Sequence, residues 1–380
     1  MDAKRVLILI SIIVLTAGLA LYFGLKEPQP IRLGYLGTIS GKFAAMGASA
    51  RNGALLAIEE INASGGVNNR PIELQVMDDG GDPAVCLEAA RELYQDGIRT
   101  IIGPFTTASA TKILPYINQD RILTIGPANA GENLANADDF FIKLFPSTKM
   151  MGELTAQLAV RMNLSTAAVI TDHRNKVFGD TMIAGFKAVY EGRGKQLVDQ
   201  VEYYSNEQIS HFDLAEIALR KHPDGVFIIS SPIDTAMLAQ NLKKNDPDVV
   251  LFTSAWAISR ELIENGGPAA EGMRFYVPFI SNDQSERFLK FKHSYEARFS
   301  EAPTHVSIFN YEAVRILKRV LEHAEATDAV MLKKHLLGIQ KFEGMQSDFT
   351  INENGDAQRA LFLHEIRNQS FQPIMDQDSE

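Results

Sequence analysis

The chain has a single cysteine, Cys86, among its 380 residues. One cysteine excludes an internal disulfide framework and any zinc or iron–sulfur site held by several thiolates. Basic residues are also scarce relative to acidic ones, since 37 Lys and Arg are set against 47 Asp and Glu, which leaves a net charge of −10. Nucleic-acid binding depends on surplus positive charge, so no nucleic-acid partner is expected.

Motifs that carry catalysis are missing as well. The chain has no Walker phosphate loop, no Gly-x-Ser-x-Gly nucleophile elbow and no His-Glu-x-x-His zinc helix. Gly34 and Gly37 do not fit the spacing of a dinucleotide-binding Gly-x-Gly-x-x-Gly motif. The eight histidines are scattered, and no two of them are four residues apart on a predicted helix. We therefore expect a protein that is not an enzyme, with no catalytic residue, metal or cofactor.

One long apolar run lies at the start of the chain. Two basic residues precede Val6–Leu25, a segment without any charged side chain. Its length matches a helix that spans a bilayer core of about 30 Å, and the positive flank predicts that everything after it is outside the cytoplasm. The alternative is a cleaved signal peptide within residues 1–27, for which Gly18-Leu19-Ala20 is an acceptable cleavage site. Both interpretations predict that the part of the chain after this segment is exported from the cytoplasm.

From Ile31 onward, short apolar strands alternate with longer amphipathic helices, which is typical of βαβ units and a mostly parallel sheet. The first strand is predicted at Ile31–Leu36. The second, Ile72–Val76, alternates at period two like a half-buried edge strand, whereas Thr100–Ile102 and Leu123–Ile125 are predicted to be short buried strands. An edge second strand beside buried later strands favours the flavodoxin-like order of doubly wound sheets.

The same alternation of strands and helices begins again near Thr148 and predicts a second α/β lobe. Its predicted strands are Ala167–Thr171, Leu197–Tyr203, Val226–Ile229, Val249–Thr253 and Arg274–Val277. Later helices are predicted over Ser285–Phe299, Ser307–His323 and Ala329–Leu337. A terminal hairpin is predicted in which Phe349–Ile351 pairs with Ala360–Arg367 across a turn at Asn352–Gly355. The predicted fold is therefore α/β, with two doubly wound, flavodoxin-like or Rossmann-like lobes.

An ordered set of short motifs resembles a known family. Ile58–Val67, followed by Asn69–Ile72 and then Asp78-Asp79, closely resembles a segment of the type I periplasmic binding proteins. Supporting matches are Leu36–Gly41 with Gly47, Asp82-Pro83, Ile102-Gly103, Gly126-Pro127, Phe178-Gly179 and Ala269–Met273. They fall in order along roughly residues 31–370. Within that fold, the chain is similar to the leucine/isoleucine/valine-binding branch of ABC-transporter receptors.

The resemblance implies a clamp of two lobes that are joined by three crossings and close on a ligand. The implied parts are residues 28–147 with 279–344 for the first lobe, residues 148–278 with 345–374 for the second, and 375–380 for a C-terminal tail. The crossings would lie near Phe145, Pro278 and Gly344. The βαβ alternation that begins again at Thr148 supports this division independently of the family resemblance.

The resemblance also implies a function. We expect a monomeric solute-binding protein at the periplasmic or extracellular face of the cytoplasmic membrane, free or anchored by Val6–Leu25. It would capture a small amino-acid-like or carboxylate ligand and deliver it to the membrane subunits of an ABC permease. A membrane-anchored sensor or co-receptor that uses the same clamp is the alternative, and it would require that the anchor be retained.

Twelve candidate ligand-binding residues follow predicted strands or the second crossing, because ligands of open α/β sheets bind outside the carboxyl ends of strands. They are Ser40, Phe43, Met46, Thr106, Thr107, Ala128, Asn129, Ala130, Phe178, Ser231, Trp256 and Phe279. Ordinary core packing is an open alternative for the large apolar side chains in this set. Helix capping is an equally ordinary role for Thr106 and Thr107.

Thr106 and Thr107 lie between a predicted strand end and a helix start, where hydroxyls and free N–H groups make an anion site. In amino-acid binders of the resembled family a hydroxyl here receives the ligand carboxylate, and Thr107 matches that position. Two departures follow from the same comparison. A threonine usual in the next loop corresponds to Ala130, and the acid that pairs with a ligand ammonium corresponds to Ala255, beside Trp256. Burial of an unpaired ammonium is costly, so these departures disfavour a standard α-amino acid.

Overall fold

The structure is a computed structural model that describes residues 28–208, 210–323 and 328–374, without the side chain of Lys42. The predicted anchor or signal peptide, including Val6–Leu25, and the predicted tail 375–380 lie outside the described residues. Of the helices within these ranges, none is both long enough and apolar enough to cross a membrane.

A five-stranded parallel sheet is formed by the first part of the chain. Its strands are β1 (Ile31–Gly37), β2 (Ile72–Asp78), β3 (Thr100–Ile102), β4 (Leu123–Gly126) and β5 (Phe141–Lys143). Their order across the sheet is β2-β1-β3-β4-β5. The predicted flavodoxin-like order is confirmed, and β2 is the predicted edge strand. Sequence analysis did not predict β5.

A second sheet begins with five parallel strands in the same pattern. They are β6 (Thr166–Asp172), β7 (Gln196–Tyr203), β8 (Gly225–Ile229), β9 (Val250–Thr253) and β10 (Arg274–Val277). Their order is β7-β6-β8-β9-β10, again the doubly wound arrangement. The prediction of two α/β lobes is confirmed. We call each sheet with the helices that pack on it a lobe, the first for the five-stranded sheet and the second for the other.

The predicted terminal hairpin is wrong in its partners. β11 (Thr350–Ile351) pairs with β12 (Ala357–Gln358) in a separate two-stranded sheet. β13 (Phe362–Arg367) instead pairs antiparallel with β10 and with β14 (Ser370–Pro373), and it extends the second sheet to seven strands. The reason is that residues 368–369 adopt positive φ and form the tight turn that returns β13 onto β14, while β13 covers the free edge of β10.

Helices cover both faces of each sheet. They are α1 (Ala44–Ala63), α2 (Pro83–Gln95), α3 (Thr107–Gln119), α4 (Thr148–Arg161), α5 (Lys176–Gly192), α6 (His211–Leu219), α7 (Pro232–Asn245), α8 (Arg260–Gly266), α9 (Glu286–Phe299), α10 (His305–His323) and α11 (Ala329–Leu337). On the first sheet, α2 and α3 pack together on one face, and α1 packs with α10 on the other. On the second sheet, α4 pairs with α5, and α6 to α8 form the other layer.

The helix α10 returns from late in the chain to the first lobe. Its first turn lies directly against α1 at Gly53, where an added Cβ atom would be only 2.0 Å from the backbone oxygen of Ser307. Glycine is therefore required for this close approach. The helix begins at His305, two residues before the predicted start at Ser307.

Residues after the predicted third crossing near Gly344 also contact the first lobe. The backbone N–H of Lys143 in β5 donates to the carbonyl of Gly355 at 2.9 Å. The buried Lys143 ammonium lies 3.5 Å from the carboxylate of Asp356. The side chain of Gln346 accepts from the backbone N–H of Ile280 at 3.0 Å. The position of that crossing therefore remains a prediction.

Candidate ligand-binding site

A cavity of about 50 Å³ lies between the carboxyl ends of the strands of the two sheets. Its wall consists of Phe43, Met46, Phe105, Thr106, Thr107, Ala128, Phe145, Asn175, Phe178, Ala255, Trp256, His305 and Val306. The first sheet contributes the loops after β1, β3, β4 and β5, and the second contributes those after β6 and β9. A space of this size holds roughly three to five waters, so it suits a small compound.

Seven of the twelve predicted ligand residues line this cavity. They are Phe43, Met46, Thr106, Thr107, Ala128, Phe178 and Trp256. Ala255, the position where the resembled family often has an acid, also lies in the wall and is 2% exposed. The structure thus brings together residues that are up to 213 positions apart, from Phe43 to Trp256. Contact of each one with a ligand remains a prediction.

The other five predicted residues lie outside the cavity wall. Ser40 is exposed, and its backbone N–H donates to the Asp78 carboxylate at 3.3 Å. Ser231 is the N-cap of α7, and its hydroxyl donates to the Asp234 carboxylate at 2.8 Å. These two hydroxyl residues therefore have structural partners of their own, and a ligand role for them remains a prediction.

Asn129 and Ala130 follow β4 and are fully buried. The carbonyl of Ala130 accepts a hydrogen bond from the backbone N–H of Thr148 at 3.0 Å and joins the β4 loop to the start of α4. Among the described residues, the side-chain oxygen and nitrogen of Asn129 have no hydrogen-bond partner, and the oxygen lies beside Gly126. Neither side chain forms part of the cavity wall, so their predicted ligand contacts are untested.

Aromatic rings connect the two lobes across the cavity. The ring centroids of Phe43 in the first lobe and Trp256 in the second are 6.0 Å apart. Trp256 also makes an edge-on contact with Phe178 at 5.9 Å. The guanidinium carbon of Arg174, from the second lobe, lies 5.4 Å from the centre of the Phe43 ring. Trp256 therefore lines the cavity and packs the lobes together at the same time.

The polar part of the wall includes the first turn of α3. Thr106 is the N-cap, and its hydroxyl accepts from the backbone N–H of Ser109 at 3.1 Å and donates to the Ser109 hydroxyl at 3.0 Å. Thr107 is the first residue of the helix and is 2% exposed. The capping role is thus taken by Thr106. The adjacent hydroxyl of Thr107 and the helix N-terminus are suited to receive an anion.

Sequence reasoning missed His305 and Asn175. His305 is the first residue of α10 and is 3% exposed, and its Nδ1 has no hydrogen-bond partner within the described part of the chain. Burial lowers the pKa of His305 to about 4, so the imidazole is neutral at pH 7. Asn175 precedes α5, and none of the described residues forms a hydrogen bond with its buried Oδ1. The only signal for His305 was its place after Pro303, where a helix can begin.

Phe279, the last of the predicted residues, stacks with two histidine rings. The ring centroid of His305 lies 5.4 Å from that of Phe279, and the ring centroid of His364 lies 5.5 Å from it. His364 belongs to β13, its Nε2 accepts from the backbone N–H of Ser281, and burial lowers its pKa to about 4. Phe279 lines a neighbouring cavity of about 790 Å³, which shares Met46 and His305 with the smaller one.

The side chains described around the small cavity include no Asp, Glu, Lys or Arg. Within the described ranges, no group of three or more His, Cys, Asp or Glu is arranged to hold a metal ion. The wall therefore combines aromatic and aliphatic surface with hydroxyls, one imidazole, one amide and a helix N-terminus. Such a wall can bind a small anion with an apolar body, and it offers no carboxylate to an ammonium group.

A family model described as periplasmic binding protein matches residues 30–370 of the chain. The curated Leu/Ile/Val-binding protein homolog 3 of Brucella melitensis is 22% identical over 339 residues, which cover 87% of this chain and 90% of that protein.

Two solved structures share the fold. A leucine-binding protein of Thermotoga maritima superposes with a TM-score of 0.82 at 20% identity, covering 91% of this chain and 98% of that one. A solute-binding protein of an ABC transporter from R. palustris, in complex with benzoate, has a TM-score of 0.82 at 18% identity, covering 91% and 95%.

Proposed function

The chain belongs to the periplasmic binding protein family, and we propose that it captures a small monocarboxylate with an apolar or aromatic body for an ABC-type permease. The family consists of solute-binding proteins, which confirms the expectation that the chain is not an enzyme. The family also favours action outside the cytoplasm, where the solute is first encountered.

The cavity between the lobes carries this proposal. Its wall has donors for an anion at Thr107 and the first turn of α3, and aromatic surface at Phe43, Phe178 and Trp256. Ala255, the position that by the family resemblance corresponds to the acid that pairs with a ligand ammonium, also lies in this wall. An α-amino acid would therefore bury its ammonium without a charged partner among the described side chains, whereas a carboxylate lacking that group avoids this cost.

The structural relatives differ in the ligands that they are named for or were crystallised with. One of them is a leucine-binding protein, and another was crystallised with benzoate, a carboxylate without an ammonium group. The acid-free wall of this chain is better matched to the second chemistry. Because both likenesses are at 20% identity or less, they support the fold and leave the ligand to experiment.

We further propose how the chain is divided between the lobes. Residues 28–147 and 279–344 form the first lobe, and residues 148–278 form most of the second. Gly355 and Asp356 contact β5, and Gln346 contacts Ile280. We therefore assign residues 345–358 to the first lobe and propose that the third crossing lies between β12 and β13. Only β13 and β14 then return to the second lobe.

A thermal-shift screen of matched pairs tests the proposed ligand class. Leucine and 4-methylpentanoate differ only in the amino group, as do phenylalanine and 3-phenylpropanoate, and benzoate is added as a third carboxylate. We expect the carboxylates to raise the melting temperature, because a ligand that binds only the folded state stabilises it. Calorimetry then confirms binding. Stabilisation by the amino acids but not by their deaminated partners would contradict the proposal.

The anchored-sensor alternative depends on whether Val6–Leu25 is retained. That segment lies outside the described residues, and no feature of the site favours a sensor over a transport receptor. Mass spectrometry of the protein isolated from membranes distinguishes the two N-termini, since cleavage after Ala20 would remove the anchor on which the alternative depends.

A further inference from the structure

The imidazole of His305 lines the cavity and is fixed by its surroundings. The ring stacks nearly parallel on Phe279, with an interplanar angle of 17°, and lies 6.2 Å from the ring of Phe145. Both phenylalanines lie near predicted crossings between the lobes. With 3% of its surface exposed, the ring has little freedom to turn away from the cavity. It is therefore held in place before a ligand arrives.

The hydrogen-bonding capacity of His305 is unused within the described structure. Its Nδ1 is buried and has no hydrogen-bond partner among the described residues, and leaving a buried polar group without a partner is unfavourable. The neutral ring carries one N–H donor and one acceptor nitrogen. Its position at the first residue of α10 adds the positive end of a 19-residue helix to the same wall. A ligand oxygen would satisfy this imidazole.

The surrounding wall restricts which ligand group can do so. Beside His305 the cavity is lined by Val306, Phe145 and Phe105, which offer no acceptor side chain. Thr107 and the first turn of α3 present further donors in the same wall. Several donors without an opposing carboxylate match a carboxylate head group. A primary amide would place its own N–H groups against some of these donors.

We propose that His305 is a specificity-determining residue that donates a hydrogen bond from its imidazole to the carboxylate of the ligand. This inference rests on the proposed function, since it concerns the same cavity and the same ligand class. From the sequence, recognition of the ligand carboxylate was predicted only at Thr106 and Thr107. The inference adds His305, at the start of α10, to the groups that bind this carboxylate.

Replacement of His305 by phenylalanine tests the hydrogen bond separately from the ring stack. His305→Phe keeps an aromatic ring against Phe279 and removes both ring nitrogens. His364→Phe is the matched control, because it makes the same change in the second histidine ring that stacks with Phe279, outside the wall of the small cavity. Affinities are measured by calorimetry and competition for benzoate, 4-methylpentanoate and 3-phenylpropanoate, and for the primary amide of each.

We expect His305→Phe to weaken carboxylate binding about 10- to 100-fold, because a hydrogen bond to a charged group is lost. Amide binding should weaken much less, so the ratio of carboxylate affinity to amide affinity should fall. His364→Phe should leave that preference unchanged. His305→Asn, which retains a side-chain donor, should keep part of the preference if it folds.

The outcomes separate failure of this inference from failure of the proposed function. If the wild-type protein binds none of the three carboxylates, the proposed function is overturned and the role of His305 with it. If the wild-type protein binds a carboxylate and His305→Phe keeps its preference over the amide, only the role of His305 is overturned. Equal losses for acid and amide, or equal effects of both phenylalanine variants, would also overturn it, since they indicate a purely structural ring.

Discussion

His305 and His364 share an environment although they are 59 positions apart, since both pack on Phe279 and both are buried. Desolvation lowers the pKa of each from 6.5 to about 4. A histidine with a depressed pKa is neutral in the folded protein but takes up a proton in the unfolded chain near pH 6.5. These two residues therefore link folding stability to pH.

The first prediction concerns that link. Between about pH 6.5 and 4 the unfolded state binds more protons than the folded state, so the free energy of unfolding must fall as the pH falls. From pH 7.5 to 5.0 we expect a loss of roughly 2 kcal/mol for each buried histidine. Urea unfolding at a series of pH values measures it.

Single substitutions identify which histidines cause the free energy of unfolding to depend on pH. His364→Phe retains a ring in the stack and removes one titrating group, so the loss between pH 7.5 and 5.0 should shrink by about 2 kcal/mol. His222→Asn, at an exposed residue, should leave the loss unchanged. Identical pH profiles for the wild-type and His364→Phe proteins would show that the buried ring does not control acid stability.

At the scale of single elements, local pattern predicted most strands because it records burial. The order of the first sheet followed from one alternating edge strand, Ile72–Val76, beside short strands that are buried throughout. β5 was missed because three residues are too few to show a period and because one of them, Lys143, is a buried charge. Its partner, Asp356, is more than 200 residues away, and no local pattern indicates such a pair.

The same limit explains which site residues were found. Thr106 and Thr107 follow a recognisable strand end, so their position could be inferred from neighbours in the sequence. His305 lies in the cavity only because α10 packs on α1 and because Phe145 and Phe279 enclose its ring. These contacts join distant parts of the chain and depend on the assembled fold.

The second prediction concerns the contact between α1 and α10. Gly53→Ala would place a methyl group 2.0 Å from the backbone oxygen of Ser307, so one helix must move. We expect a loss of about 1–3 kcal/mol in the free energy of unfolding, the usual cost of overpacking. Carboxylate affinity should also fall, since α10 carries His305. Chemical denaturation and calorimetry measure the two effects.

Gly192→Ala is the matched control for this helix contact. Gly192 ends α5, and an added Cβ there would meet no heavy atom within 4 Å. Alanine at that position should leave the free energy of unfolding unchanged or raise it by up to about 1 kcal/mol, because alanine has a higher helix propensity than glycine. Equal stability of the two variants would refute the claim that the helices depend on glycine for their close approach.

At the scale of the whole molecule, ring contacts across the cavity hold the lobes together in this structure. Phe43 of the first lobe meets both Trp256 and Arg174 of the second. If the lobes open, these contacts are lost, so they contribute to the balance between open and closed forms. A ligand can add to closure only through contacts that differ between the two forms.

The third prediction tests this balance with Phe43→Ala. An aromatic pair contributes about 0.5–1.5 kcal/mol in addition to the energy of burying its surface. Its loss should therefore raise the ratio of open to closed protein about two- to tenfold or more. We expect the ligand-free variant to have a larger radius of gyration than the wild-type protein by X-ray scattering. A saturating carboxylate should compact both proteins, with weaker affinity in the variant.

Tyr94→Ala supplies the control for that measurement, because Tyr94 makes an edge-on pair with Tyr116 at 6.2 Å within the first lobe. Its loss removes a similar ring contact without touching the interface, so the radius of gyration should stay at the wild-type value with and without ligand. Equal expansion of both variants would mean that ring loss merely loosens the fold. A Phe43→Ala protein that matches the wild type without ligand would show that the contact between the lobes does not govern closure.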